Sequence, residues 1–335
     1  MKATFDGMWV RLRGEGRTLY EQGGYGRPEG GGLRLAPEEA LYLMERSKIE
    51  VQNYDFDTLL GHFTEKQNFI RSYLVYRDIR ERGYVVQPGP HDFRVFRRGH
   101  KPGGGKSQYL VRVLSERDLI DFDTVSSDVL TATNMRKQYV LAVVDDEDEL
   151  TYYEVRVHDL PAVESAAGCE PVQAAVYGTY ALAHLPPGSG IEECWYGKRL
   201  DAERLMLQPV EALYLIREGC LSLHANAAPV DADTFLTAVA EEDVEIREKE
   251  RVFADLRDKG YIPRTGYKFG HHFRVYSGKK SHSEMLVHAI LTGTALPMST
   301  ISRSVRLAHS VKKKMLFGCV QNSDIRYIEF TRIKL

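Results

Sequence analysis

Along this chain the period of hydrophobic positions changes several times, and the whole series of changes occurs twice. Short runs that alternate or stay apolar, from Phe93 to Phe96, Tyr109 to Leu114, Tyr139 to Val144 and Leu150 to Val157, predict strands. A charged amphipathic stretch around Glu65 to Arg82 predicts a helix that stops at Gly83, and a second around Glu242 to Lys259 predicts one that stops at Gly260. A further helix, over Ser126 to Arg136 in the first set and Ser302 to Lys312 in the second, separates the middle pair of strands. Earlier in each set a strand-like segment leads into a helix entered through Pro37 or Pro209, where proline suits the first turn.

The residues repeat along with the pattern. Tyr25-Gly26-Arg27, then Leu33 to Leu43 with its Pro37, Glu39, Ala40, Leu41, Tyr42 and Leu43, recur as Tyr196-Gly197-Lys198 and Leu205 to Leu215. Asp78 to Tyr84 matches Asp255 to Tyr261, Phe93-Arg94-Val95-Phe96 matches Phe273-Arg274-Val275-Tyr276, and Tyr152 to Val155 matches Tyr327 to Phe330. Matches in constant order at a nearly constant offset mean duplication of a whole unit of about 160 residues, a normal size for a compact domain or a pair of small ones. The expected fold is α/β (α+β): two tandem repeats, each a small N-terminal α/β domain followed by a nuclease-like α/β domain with a mixed sheet flanked by helices. The expected boundaries are 1–160 for the first repeat, a linker over 161–172, an N-terminal domain over 173–246 and a last domain over 247–335.

Composition adds exclusions. With 45 basic and 47 acidic residues the net charge is −2 over 335 residues, so any nucleic-acid surface must be a local patch and not a basic coat. Four cysteines, Cys169, Cys194, Cys220 and Cys319, match no paired zinc-ligand spacing and read as small buried residues in a reducing compartment. No apolar run resembles a signal peptide or a membrane span, so a cytoplasmic protein without membrane attachment is expected.

Both copies need whatever the fold needs, so reactive residues held by one copy alone are candidates for chemistry. Tyr276 faces Phe96, a loss of the hydroxyl; His282 faces Lys106; Arg306 faces Leu130; only Lys313 keeps its partner, Lys137. Taken singly, a strand-end tyrosine, a loop histidine and a lysine in a run of three are ordinary features. Together they suit transfer of an RNA phosphodiester to its own 2′-hydroxyl. One group takes the 2′-proton, one protonates the departing 5′-oxygen, and a cation stabilises charge on phosphorus. The nucleophile belongs to the RNA, so no metal or other cofactor is expected. A tyrosine ordinarily titrates near about 10, so using one as a base at neutral pH calls for a neighbouring cation. Histidine suits the acid role, and lysine brings positive charge.

At these residues the chain resembles the archaeal tRNA-intron splicing endonucleases of the tandem-repeat, homodimeric type. The carriers are Gly266-Tyr267-Lys268-Phe269-Gly270, Phe273-Arg274-Val275-Tyr276, His282-Ser283 with Leu286-Val287, Ile301-Ser302-Arg303 with Val305-Arg306, Lys313, and Tyr327 with Glu329-Phe330 and Arg332. The resemblance implies that Tyr276 is general base, His282 general acid and Lys313 transition-state stabiliser. It also implies that Arg306 and Arg332 sandwich a base flipped out of a bulge, as guanidinium planes stacking on bases can. The implied partner is precursor tRNA with a bulge-helix-bulge motif, and the implied products are a 2′,3′-cyclic phosphate and a 5′-hydroxyl. A homodimer is implied too, in which an acidic loop of the non-catalytic repeat docks on the partner chain. Asp145, Asp146 and Asp148, within Asp145 to Glu149, are the candidates, and the second repeat has Gln321-Asn322-Ser323-Asp324 there. The Ser277 to Ser281 loop between tyrosine and histidine is short for the family.

Two other classes remain open on residues alone. One is a non-catalytic RNA-binding or structural subunit, which loss of Tyr276, His282 or Lys313 would signal. The other is a metal-dependent nuclease of restriction-enzyme type, which needs paired carboxylates beside a lysine, and Glu284 is the one obvious candidate near the site.

Overall fold

A computed structural model describes residues 1–163, 170–185, 188, 190–278, 281–291, 293–321 and 324–335. The chain divides into two compact units, one of Met1–Arg156 with Ala295–Arg303 and Phe330–Leu335, the other of Val157–Thr294 with Ser304–Glu329. No helix among the described residues is long and apolar enough to cross a membrane.

In each unit the N-terminal part is a small sheet closed by a parallel pair. Lys2–Phe5 runs parallel to Glu50–Val51 in the first unit, and Val172–Tyr177 runs parallel to Leu221–Ala225 in the second. The helices Pro37–Glu45 and Pro209–Arg217 begin at the expected prolines. Each is started by a buried glutamate that reaches back: the Ala36 N–H donates to Glu39 Oε2 at 2.9 Å, and the Gln208 N–H donates to Glu211 Oε2 at 2.9 Å.

The C-terminal part of each unit is a mixed sheet. Its order is Val86–Pro88, Phe93–Phe96, Ser107–Ser115, Gln138–Val144, Leu150–Val157 in the first unit and Ile262–Thr265, Phe273–Tyr276, Met285–Leu291, Lys314–Gln321, Asp324–Ile333 in the second. The third and fourth strands are parallel in both, which requires a crossover, and a helix supplies it: Phe122–Asn134 or Met298–Ser310. Both helices start four residues before the positions that the hydrophobic period predicts. In the first, Asp121 supplies the signal by accepting from the Thr124 N–H at 2.7 Å.

The aromatic core is duplicated ring for ring. Tyr25 stacks on Tyr42 at 6.4 Å and Tyr196 on Tyr214 at 6.1 Å; Tyr76 meets Phe93 and Phe253 meets Phe273 at 5.9 Å in each case. Arg80 lies 3.8 Å above Tyr25 and Arg257 lies 3.8 Å above Tyr196. Cys319 is buried and Cys194 half-buried, neither in a disulfide, whereas Cys220 is disulfide-bonded, which departs from the expectation of reduced cysteines throughout. Cys169 lies outside the described residues.

One difference between the copies has a consequence for stability. In the second unit Arg264 donates to the Trp195 and Gly197 carbonyls and to Glu211 Oε1 at 3.1 Å, so the buried carboxylate has a counter-ion. The first unit has Gln87 at that place, which donates to the Gly26 carbonyl at 3.0 Å, and a cleft of about 370 Å³ opens beside Gln87 and Glu39. Without a bonded cation, burial pushes Glu39 up to about 7. Its folded value lies above the unfolded value of 4.5, so this group's stabilising effect is complete at low pH and is lost as pH rises from about 4.5 to about 7. Gln87→Arg should therefore raise the thermal unfolding midpoint at pH 8 and change it little at pH 5, a gain of about 1–2 kcal/mol from pairing the charge. Equal effects at both pH values would refute this account of Glu39.

Candidate active site

Tyr276 ends the strand Phe273–Tyr276 and is buried, with its ring edge against Trp195 at a centroid distance of 5.5 Å. Trp195 is held in turn, because its carbonyl accepts from Arg257 at 3.3 Å and from Arg264 at 2.6 Å. His282 is exposed, just before the strand Met285–Leu291. Three hydrogen bonds tie the chain at these points. The Glu284 N–H donates to the Val275 carbonyl at 2.9 Å, the Lys314 N–H to the Glu284 carbonyl at 3.0 Å, and Lys313 Nζ to the Ser283 carbonyl at 2.6 Å. The strand end that carries Tyr276, the residues following His282 and the residues around Lys313 thus meet at one end of three neighbouring strands.

Lys313 owes its place to the way its helix ends. Lys312 is left-handed with φ 54°, its N–H donates to the His309 carbonyl at 3.0 Å, and the Lys313 N–H returns to the Ala308 carbonyl at 2.8 Å. The first unit ends its helix identically. Arg136 has φ 56°, the Lys137 N–H donates to the Ala132 carbonyl at 2.8 Å, and Lys137 Nζ reaches the Ser107 carbonyl at 3.3 Å. Each lysine therefore grips a serine at the start of the strand that precedes its helix, whether or not tyrosine and histidine are present.

His282 lines an open cleft with Ser281, Ser283, Glu284, Lys312 and Lys313. The cleft lining contains one carboxylate among the described residues, Glu284, which accepts from the Ser277 hydroxyl at 2.9 Å and so pins the loop after Tyr276. The paired carboxylates that a restriction-type metal nuclease needs are not in that lining. Lys279 and Lys280 of this loop lie outside the described residues.

Arg274, which both repeats share through Arg94, also belongs to this site. Its guanidinium carbon lies 5.8 Å from the centre of the Tyr276 ring, and its buried Nε has no hydrogen-bond partner. Burial first and then the charge of Arg274 push the Lys313 amine below its ordinary value. The signal was available in the alternation of strand residues, which sets residues 274 and 276 two apart.

Arg306 is exposed on the helix Met298–Ser310, and Arg332 is exposed on the strand Asp324–Ile333. In the acidic loop, Asp145 is occupied: its Oδ1 accepts the Glu147 N–H at 3.0 Å and the Glu149 N–H at 2.9 Å. Asp146 pairs with Arg117, and Asp148 is exposed with φ 61°. The second unit's counterpart includes Asn322 and Ser323, which lie outside the described residues.

A second titratable group of the same unit, Glu245, His272 and His288, is close enough to hold a metal ion. Its hydrogen bonding argues otherwise. The Ala289 N–H donates to His272 Nδ1 at 3.0 Å, so a neutral ring carries its proton on Nε2, 3.4 Å from the Glu245 carboxylate. A metal-binding histidine instead donates from its second nitrogen. Burial pushes His271 down to about 4 and His272 to about 3, so both rings are neutral near pH 7.

Comparison with known proteins adds the following. The family model described as tRNA intron endonuclease, catalytic C-terminal domain, matches residues 69–152 and again 246–327. The model described as tRNA intron endonuclease, N-terminal domain, matches residues 1–60 and 188–236. The chain is 38% identical over 337 residues to the tRNA-splicing endonuclease of Methanococcoides burtonii, covering 95% of each chain. It is 37% identical over 336 residues to that of Methanosarcina barkeri, covering 95% of each, and 36% over 352 residues to that of Natronomonas pharaonis, covering 98% of each.

Proposed function

Because the chain belongs to the tRNA intron endonuclease family, we propose that this endoribonuclease cuts precursor tRNA at a bulge-helix-bulge motif, without a metal, leaving 2′,3′-cyclic phosphate and 5′-hydroxyl ends. The catalytic domain is 247–335, with 173–246 as its N-terminal domain, 161–172 as a linker and 1–160 as the non-catalytic repeat. Tyr276, acting as the phenolate, takes the proton from the ribose 2′-hydroxyl and becomes the neutral phenol, beside the Arg274 guanidinium 5.8 Å from its ring centre. The new alkoxide attacks the adjacent phosphorus. His282 protonates the 5′-oxygen as the P–O bond breaks, and Lys313 neutralises charge on the non-bridging oxygens. One Lys313 N–H is committed to the Ser283 carbonyl, which aims the amine and leaves two for phosphate. Arg306 and Arg332 receive the flipped base.

The observation that supports this reading is a cleft lined by His282 and Lys313 whose Glu284 is bonded to the strand that ends in Tyr276, in a unit whose copy has kept only the lysine. The protein acts as a cytoplasmic homodimer, with the Asp145 to Glu149 loop of one chain docked on the catalytic domain of the other. The test is cleavage of an intron-containing precursor tRNA by the purified chain in EDTA, with both new ends mapped. Two cuts with cyclic phosphate ends are expected. Cleavage that needs added magnesium, or leaves 5′-phosphates, would overturn the mechanism, and no cutting at all would favour a non-catalytic RNA-binding subunit.

A further inference from the structure

The first unit lost its tyrosine and histidine, but it did not lose its charge. Three basic residues remain at the degenerate site: Arg94, the counterpart of Arg274; Lys106, which stands where His282 does; and Lys137, the counterpart of Lys313. The fold brings them to one edge. Phe96, two residues after Arg94, is registered with Ser107, Lys106 immediately precedes Ser107, and Lys137 donates to both the carbonyl and the hydroxyl of Ser107. Burial, then the charge of Arg94, then that of Lys106 push the Lys137 amine below its ordinary value, the sign expected of like charges within electrostatic reach.

These cations have no acidic partners among the described residues. Arg94 has a buried Nε without a hydrogen-bond acceptor, and Lys106 is exposed. In a chain with a slight excess of acidic residues, three unneutralised cations at one strand edge are a marked local departure. Decay of an unused active site leads to neutral or paired replacements as readily as to basic ones, since self-repulsion of like charges destabilises the fold. Here the replacement of histidine has added a permanent positive charge, while the loss of the phenol has removed the means of activating a hydroxyl. Lys313 and Arg274 sit in the catalytic copy where a phosphodiester would be held, and their counterparts keep the same places.

We infer that the edge formed by Arg94, Lys106 and Lys137 is a second RNA contact, which binds a backbone phosphate of the precursor and does not cut it. This rests on the reading of the chain as an RNA endonuclease. Its ligand chemistry is that of a phosphate oxyanion, held by charge and by N–H donors. No base clamp accompanies it, because Leu130 replaces the arginine, so the contact is indifferent to sequence.

The test uses the full chain and a bulge-helix-bulge RNA with 2′-deoxyribose at the scissile positions, together with the all-ribose RNA for cleavage. Lys106→Gln, at an exposed position, decides the matter, and Arg94→Gln with an unchanged melting temperature extends it. Expected for Lys106→Gln are an affinity about fivefold to tenfold weaker at low salt, a salt dependence shallower by about one phosphate contact, and an unchanged single-turnover rate at saturating RNA. Wild-type affinity and salt slope in Lys106→Gln would overturn the inference. Protection of Lys106 from an amine-acylating reagent supplies the second arm. Protection by the RNA supports the assignment, whereas protection by inorganic phosphate with RNA affinity intact in Lys106→Gln assigns a free anion and overturns it. A wild-type chain that neither binds nor cuts the RNA indicates failure of the endonuclease reading itself.

Discussion

Tyr276→Phe is expected to lower the single-turnover cleavage rate by about a hundredfold to ten-thousandfold, the range that general base catalysis supplies, while RNA affinity stays within about twofold of wild type. The substitution removes one oxygen and copies the state of the first unit, where Phe96 holds the same strand end. The ring contact with Trp195 at 5.5 Å needs no hydroxyl, so the strand end should keep its position. Rapid mixing with excess enzyme measures the rate, and filter binding measures affinity. A variant that cuts at a near-normal rate removes Tyr276 from the base role. Arg274→Gln should give a smaller loss, about tenfold, because it takes away the cation 5.8 Å from the ring and leaves the phenol in place.

The second large effect is expected at the acidic loop. Asp146→Lys together with Asp148→Lys should convert a dimer of the chain into monomers at micromolar concentration, and cleavage should fall with the dimer. Asp145 is left unaltered in this test because its carboxylate holds the turn through the Glu147 and Glu149 N–H groups, so reversing it would unfold the loop it is meant to probe. Like charges facing a basic pocket cost several kcal/mol, roughly enough to abolish a complex of moderate affinity. Light scattering decides between outcomes, since an unchanged mass in the double variant removes the loop from the interface. Rising salt should also weaken the wild-type dimer, as expected of an interface registered by charge.

Much of the site could be read from residues because the duplication acts as an internal control. Phe96 against Tyr276 and Lys106 against His282 needed no structure to be noticed. Lys313 was less distinct, since Lys137 remains, and the folded chain explains why: both lysines hold a serine at the start of the preceding strand, a structural task that survives loss of catalysis. Arg274 and Trp195 were missed for different reasons. Arg274 is common to both repeats and so vanished from a comparison built on differences. Trp195 reaches Tyr276 from about eighty positions away in the chain, and no local period encodes such a contact.

What the sequence determined by itself was the number of units, the order of strands and helices within each, and which copy holds the reactive groups. Hydrophobic period, proline and glycine positions, and internal repetition are local properties, and they survive being read in one dimension. Tertiary structure decided where charge is neutralised. Glu211 has Arg264, whereas Glu39 accepts only backbone N–H groups, from Gly26 and Ala36, and Asp145 serves its own turn. It also brought Arg94, Lys106 and Lys137 close together without an acidic partner among the described residues. The state of a charge depends on burial and on neighbours brought close by the fold, often from distant parts of the chain, and for that reason it could not be read before the chain was folded.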